Sequence, residues 1–247
     1  MDGPHALPAP PPLAELLLQH RLALFLDFDG TLVEIASDPD AIAVPSLLAA
    51  RLEALRDRLE GRLSLVSGRA LDDIESHLGK LALARAGSHG LHRVHADGRL
   101  AGAAPDPLPA AVIERLHGFA RDHGLRYEAK THGGALHYRQ RPECEAAAQA
   151  FAQEVAAQHG LAVKRGKAVA ELVHPGASKE SAVHAFMAEA PFAGAMPLFI
   201  GDDVTDEDGF AGVAHFGGFG IAVGERPSER AQYRLDNVAA VHHWLEI

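Results

Sequence analysis

Asp27 and Asp29 stand one residue apart at the end of the apolar run Leu22-Ala23-Leu24-Phe25-Leu26, with Gly30-Thr31 following. The run is short, has no polar face, and predicts a central β-strand, buried on both sides, with Asp27 and Asp29 at its end. Side chains alternate along a strand, so the two carboxylates are expected to point the same way. Crowded acids repel unless a cation or a shared proton relieves them. In an open α/β sheet, the carboxyl end of a strand is also where ligands bind. A second acidic cluster, Gly201-Asp202-Asp203-Val204-Thr205-Asp206-Glu207-Asp208, follows another apolar stretch, Pro197-Leu198-Phe199-Ile200. Carboxylates converging from two strand ends suit a hard divalent cation with oxygen ligands, Mg2+ rather than Zn2+, because no His or Cys cluster accompanies them. Asp208 reads more simply, as part of an acidic first helical turn.

Groups able to hold an anion sit at equivalent places. Ser67 ends a second strand, 62–67, just before Gly68-Arg69. A hydroxyl and free backbone N–H groups at a strand-to-helix turn can hold phosphate oxygens. Lys179 falls in the first turn of a later helix. Alone it would be a solvated surface lysine; beside carboxylates, a hydroxyl and a cation it becomes a phosphate clamp. Such a set describes phosphoryl transfer, in which charge is offset on both the nucleophile and the transferred group.

The elements that must position these residues follow from periodicity. Further strands are expected at 81–86 and 220–223. Helices are expected from Pro45, with Leu47, Leu48, Leu52, Leu55 and Leu59 on one face, and at 71–78, 178–189, 207–214 and the C-terminus. Asp97-Gly98 marks a hairpin. Strand and helix alternate from 22 to about 90, the pattern of βαβ units in a parallel sheet. The middle differs. After a linker at 103–109, a helix through His123 leads to strands 125–130 and 135–139 joined at Gly133-Gly134. A helix over 144–159 and strands 162–164 and 168–173 follow. This α-β-β-α-β-β order predicts an antiparallel α+β insert. The domains are therefore a discontinuous core, 13–104 and 176–247, an insert, 105–175, and a disordered Pro/Ala-rich tail, 1–12.

Composition bounds the rest. With 247 residues, 47% of them hydrophobic, the chain can bury a core plus a smaller insert. A formal charge of −10 argues against nucleic acid as a partner. The single cysteine, Cys144, excludes an internal disulfide and a thiolate cluster, and fits a reducing cytoplasm. No apolar run reaches the roughly 18–20 residues of a membrane span, and the N-terminus lacks the pattern of a signal peptide. A soluble cytoplasmic monomer is expected. Sixteen histidines predict stability that falls between roughly pH 7 and 5; the adjacent His242-His243 are expected at the surface.

Asp27-Phe28-Asp29-Gly30-Thr31, Ser67-Gly68-Arg69, Lys179 and Gly201-Asp202-Asp203-x-x-Asp206 resemble, in order, the four motifs of the haloacid dehalogenase-like phosphohydrolases. Asp38-Pro39-Asp40, Gly87-Ser88-His89-Gly90, His137-Tyr138-Arg139, Glu171 and the stretch Ala222 to Leu235 narrow the likeness to the trehalose-6-phosphate phosphatases, over roughly 20–247. The resemblance implies a Rossmann-like core with an inserted cap, and hydrolysis of a phosphosugar. It implies that Asp27 attacks phosphorus and that Asp29 protonates the leaving oxygen and later activates water. It implies Mg2+ on Asp27, Asp29 and Asp202, leaving open which of Asp203 and Asp206 also takes part. Ser67, Gly68 and Lys179 would grip the phosphoryl oxygens, and His89, Lys130, His137, Arg139 and Glu171 the sugar. Glu171 also stands out unaided, because an acid inside Val169-Ala170-Glu171-Leu172-Val173 requires a partner. The chain departs from the family pattern at His92, commonly Glu, and at Glu180, commonly Gly. Competing readings are a phosphatase for sucrose phosphate or mannosyl-phosphoglycerate, and a phosphosugar-binding module without turnover.

Overall fold

The computed structural model describes residues 7–35, 42–103, 105–166 and 168–247; the Asp38-Pro39-Asp40 motif and Ala104 lie outside the described residues. Among these residues two sheets form. The larger contains β1 (Leu22–Leu26), β2 (Leu63–Val66), β3 (Ala84–Gly87), β4 (His92–Val94), β9 (Met196–Gly201), β10 (Phe219–Val223) and β11 (Ala231–Leu235). Its order is β11-β10-β9-β1-β2-β3-β4, parallel throughout except for β4.

Period two is directly visible in β1. Leu22, Leu24 and Leu26 pack with α1 (Leu13–Gln19), α2 (Leu48–Arg58), α3 (Leu71–Leu78) and α8 (Val238–Leu245). Ala23 and Phe25 face the opposite way, onto α6 (Lys179–Met187) and α7 (Asp206–His215). Both faces are dry, which is why this strand carries no polar side chain. The fully buried Phe25 touches Phe186 and Phe192; truncating it to alanine would cost about 3–5 kcal/mol. The chain lays β2, β3 and β4 on one side of β1 and later returns to place β9, β10 and β11 on the other. The resulting switch point opens a crevice at the carboxyl ends of β2 and β9, the two neighbours of β1.

The smaller sheet runs β5-β6-β8-β7, antiparallel, from β5 (Arg126–Lys130), β6 (Gly133–His137), β7 (Ala162–Gly166) and β8 (Val169–Val173). Helices α4 (Ala110–His123) and α5 (Glu145–His159) cover one face with a separate apolar cluster. Alternation places Arg126, Glu128, Lys130, His137, Glu171 and Lys164 on the other face.

Several expectations are corrected. β1 ends at Leu26, before both aspartates; the Asp27 N–H still donates to the Ile200 carbonyl (2.9 Å), but Asp29 already belongs to a tight turn closed by Gly30 N–H to the Val33 carbonyl. Gly133 and Gly134 lie inside β6 rather than in a turn. A Cβ on Gly134 would meet Leu116 at 2.8 Å, so packing against α4 selects glycine there. Helix α1 and strand β11 were not expected. Of the tail expected to be disordered, residues 7–12 form an ordered strap. The Pro8 carbonyl accepts from the Arg234 N–H (2.9 Å), the Pro11 carbonyl accepts from Trp244 Nε1 (2.8 Å), and Pro10 is buried. His242 is half-buried, with Nε2 on the Leu32 carbonyl at 2.8 Å. No helix of the described residues is long and apolar enough to cross a membrane.

His92 on β4 and His132, in the turn between β5 and β6, meet edge to face at 5.0 Å. Burial holds both below the ordinary histidine range, and repulsion from His132 adds to this at His92. A depressed imidazole stabilises the fold above its unfolded pKa, and that contribution is lost as pH falls through the folded pKa. The Tm advantage of wild type over His132→Phe is therefore expected to shrink by a few degrees between pH 7 and pH 5. Thermal melts of the pair check it; parallel curves would remove His132 as the cause.

Candidate active site

A cleft of about 1210 Å³ separates the carboxyl ends of the parallel strands from the helix-free face of the smaller sheet. Every residue assigned to the site from sequence lines it: Asp27, Asp29, Ser67, Gly68, His89, Lys130, His137, Arg139, Glu171, Lys179 and Asp202.

The floor is built from four side chains. Lys179 Nζ lies 2.8 Å from Asp27 Oδ1 and 2.6 Å from Asp206 Oδ1, with all three residues buried. Burial opposes the Lys179 charge, yet Asp206 and Asp27 together raise its pKa. One ammonium does not balance the acids. Burial and the Asp206 charge push Asp27 well above the usual carboxylate range, and push Asp202 up to about 7. Burial raises Asp206 as well. Carboxylate oxygens of Asp27, Asp202 and Asp206 lie within 4.8 Å of one another, and Asp202 Oδ1 is buried without a hydrogen-bond partner. An all-oxygen set with surplus negative charge and an orphaned acceptor fits a divalent cation. Gly30, at φ 75°, lets the first loop pass this cluster; a Cβ there would stand 2.2 Å from Asp202 Oδ2. Of Asp203 and Asp206, between which the sequence leaves the choice open, Asp206 is the one in this cluster. As the first residue of α7 it combines a helix-start position with a buried ion pair.

The wall comes from β2 and the turn after it. Ser67 is buried and its Oγ accepts the Arg69 N–H at 3.1 Å. Arg69 grips Asp29 with both arms, Nε to Oδ2 at 2.6 Å and Nη2 to Oδ1 at 2.8 Å, and holds Asp73 with Nη1 at 2.6 Å. Sequence reasoning quoted Arg69 inside its motif but gave it no role. This bidentate fork fixes where the Asp29 carboxylate sits.

The roof closes on Glu171. Its Oε2 accepts from Lys130 Nζ at 2.8 Å and meets His89 Nε2 at 3.1 Å. Burial pushes Glu171 up, but Lys130 and His89 overcome it and hold the carboxyl down at about 2. Lys130 Nζ also reaches the Gly68 carbonyl, 3.3 Å away, so the smaller sheet touches the turn after β2. His89 follows Ser88 in a 3₁₀ turn where both adopt left-handed φ, 50° and 56°, a strained geometry that aims the ring across the cleft. His137 Nε2 meets Glu128 Oε2 at 2.7 Å. Glu128 was missed, although it stands two residues from Lys130 on one strand and so shares its face. His92 does not line the cleft, and Glu180 is exposed on α6 beside His184.

A fourth cation orders the acidic loop. Arg226 donates to the Asp202 carbonyl (3.1 Å), the Asp203 carbonyl (3.0 Å) and Glu207 Oε1 (2.7 Å).

A parallel sheet whose central strand delivers Asp27-x-Asp29, with Ser67, Lys179 and the Asp202 loop converging at the same end, is the arrangement of the haloacid dehalogenase-type phosphohydrolases. A phosphatase of the haloalkanoate (HAD) enzyme superfamily from Bacteroides thetaiotaomicron shares the fold, with a TM-score of 0.57 at 16% identity over 91% of this chain and 93% of its own. The trehalose-phosphatase family model matches residues 25–239. The trehalose-6-phosphate phosphatase of Escherichia coli (strain K12) is 38% identical over 233 residues, which cover 93% of this chain and 87% of that protein. The C-terminal domain of C. albicans trehalose-6-phosphate phosphatase has the same fold, with a TM-score of 0.80 at 22% identity over 99% of this chain and 100% of its own. The chain belongs to the trehalose-phosphatase family and is a phosphatase.

Proposed function

We propose that the chain hydrolyses trehalose 6-phosphate to trehalose and phosphate, in the cytoplasm, with Mg2+ as its cation and residues 105–175 as the cap. One observation carries the reading: a buried Asp27–Lys179–Asp206 floor lies directly under a polar roof whose central carboxylate, Glu171, is held from both sides of the cleft.

Asp27 is the nucleophile. Its carboxylate oxygen forms the bond to phosphorus as the bond from phosphorus to the sugar oxygen breaks, which divides one difficult step into two. Asp29 gives its proton to the departing sugar oxygen. It then takes a proton from the water that cleaves the aspartyl-phosphate, returning Asp27 and releasing phosphate. Arg69 keeps Asp29 in place for both transfers. Lys179 and Ser67 hold the phosphoryl oxygens and neutralise charge as it develops. Asp27, Asp29 and Asp202 would hold Mg2+, which when bound supplies positive charge opposite the phosphoryl group. Lys130, His137, Arg139, Glu171 and His89 meet the sugar hydroxyls, where a missing partner is heavily penalised.

Phosphate release from a panel of phosphosugars, with Mg2+ and with a chelator, tests the reading. Turnover confined to trehalose 6-phosphate and lost on chelation is expected. Turnover of sucrose phosphate or mannosyl-phosphoglycerate at the same rate would discard the substrate assignment. Glu171→Ala is expected to raise KM for trehalose 6-phosphate by about tenfold to a hundredfold, the scale of a hydrogen bond to a charged group. An unchanged KM in steady-state assays would take Glu171 out of the pocket.

A further inference from the structure

The acidic turn that opens α7 gives each of its three acids a different cation. Asp206 takes Lys179 in the floor. Glu207 takes Arg226 from the segment after β10. Asp208 takes Lys164, Nζ to Oδ2 at 2.7 Å. The first two cations come from elements that flank the larger sheet, as the acids do, but Lys164 comes from β7 of the cap. An acidic first turn needs no such partner, since the helix N-terminus already favours it.

Lys164 is placed by the cap's own register. Glu128, Ala135, Glu171 and Lys164 form one cross-strand row over all four cap strands. The neighbouring Val163 packs on the helix side, so Lys164 must face the core. Its row neighbour Glu171 is the residue that meets the substrate on the function proposed above. At the other end of the pair, Asp208 lies two residues from Asp206 in a helix packed against α6, where Gly212 leaves room for the Glu180 backbone. β7 is an edge strand, and this pair ties that edge to the catalytic turn.

We infer that Lys164 is a positioning residue: its ion pair with Asp208 seats the cap's edge strand on the acidic turn and so sets how Glu171 is presented to the sugar. The inference rests on the phosphatase reading. Its side chains are 24% and 38% exposed, so the pair adds little to folding stability and is screened by salt. A few-fold bias between seated and unseated cap is enough for the role.

Steady-state kinetics on two substrates test it. Trehalose 6-phosphate needs the cap, whereas 4-nitrophenyl phosphate carries no sugar for the cap to meet. Lys164→Glu is expected to lower kcat/KM for trehalose 6-phosphate by about tenfold, within the usual span of coupling between sites. Most of the loss should fall on KM, and turnover of the aryl phosphate should stay within about twofold. Lys164→Gln, which removes the charge without repulsion, should give a smaller loss in the same direction and covers the case in which Lys164→Glu folds poorly. The reversed pair, Lys164→Glu with Asp208→Lys, should recover most of the lost efficiency. Equal losses on both substrates, no loss in either single variant, or a reversed pair no better than Lys164→Glu would each overturn the inference. Wild type that releases phosphate from neither substrate would overturn the phosphatase reading itself, and this inference with it.

Discussion

Asp27→Asn is expected to abolish turnover, lowering kcat by about 10⁴-fold or more, the scale seen when a nucleophile is removed. The amide keeps the shape of the carboxylate but has no oxygen able to form the phosphoryl bond. The same substitution should leave the protein at least as stable as wild type. In the apo protein Asp27 is one of three acids facing a single Lys179, and burial and Asp206 raise its pKa well above the ordinary value. A carboxyl whose folded pKa is raised costs stability as pH climbs through that value, so a neutral side chain relieves the fold at pH 7 and above. Phosphate release with Mg2+ and thermal melts in chelator, run on one preparation of each protein, therefore form one test: dead enzyme, unchanged or higher Tm. Turnover above about 1% of wild type would remove Asp27 as the nucleophile, since a residual rate that high is far above what binding and positioning alone leave behind. A large fall in Tm would show that the carboxylate holds the floor together instead of straining it.

Much of this site was legible in the sequence because the residues that matter lie beside elements with strong local signals. β1 and β9 are apolar on both faces, so the strands themselves are easy to find, and the acids follow them within a few residues. Glu171 could be singled out because a charge inside an apolar run needs a partner, and it has two. What escaped were features decided by packing at a distance. β11 is a polar edge strand with one buried residue, and nothing in its composition separates it from a loop. The end of β1 at Leu26 depends on a turn held by Val33, which alternation does not reveal. Gly133-Gly134 looked like punctuation, but the residues are small because Leu116 and the Leu172 carbonyl press on them. Asp208 read as an ordinary helix start because its partner, Lys164, is 44 residues away. Asp206 was seen as acidic, but only Lys179 and the backbone N–H of Asp203 explain how a carboxyl can be wholly buried there.

Lys179→Met should damage both the catalyst and the fold. Methionine fills similar space, so the change isolates the charge. Catalytically, the phosphoryl oxygens lose their fixed cation, which is expected to lower kcat by about 10²–10³-fold, as for other preorganised charge-stabilising groups. Structurally, Asp27 and Asp206 remain buried with no cation 2.6–2.8 Å away. Breaking a buried pair by removing one partner costs about 3–5 kcal/mol, far more than the pair contributes over a neutral replacement. The penalty carries a sign in pH. With Lys179 gone, both acids titrate still higher, and a raised carboxyl is harmless only while protonated. The Tm deficit of Lys179→Met should therefore widen from pH 5 to pH 8, measured in chelator so that no added cation replaces the ammonium. Adding Asp206→Asn should recover a large part of the deficit without restoring activity, because it removes the buried charge that Lys179 had matched. A deficit that stays flat with pH, or a double variant less stable than Lys179→Met, would mean that Lys179 stabilises the floor through its methylene packing and not through its charge.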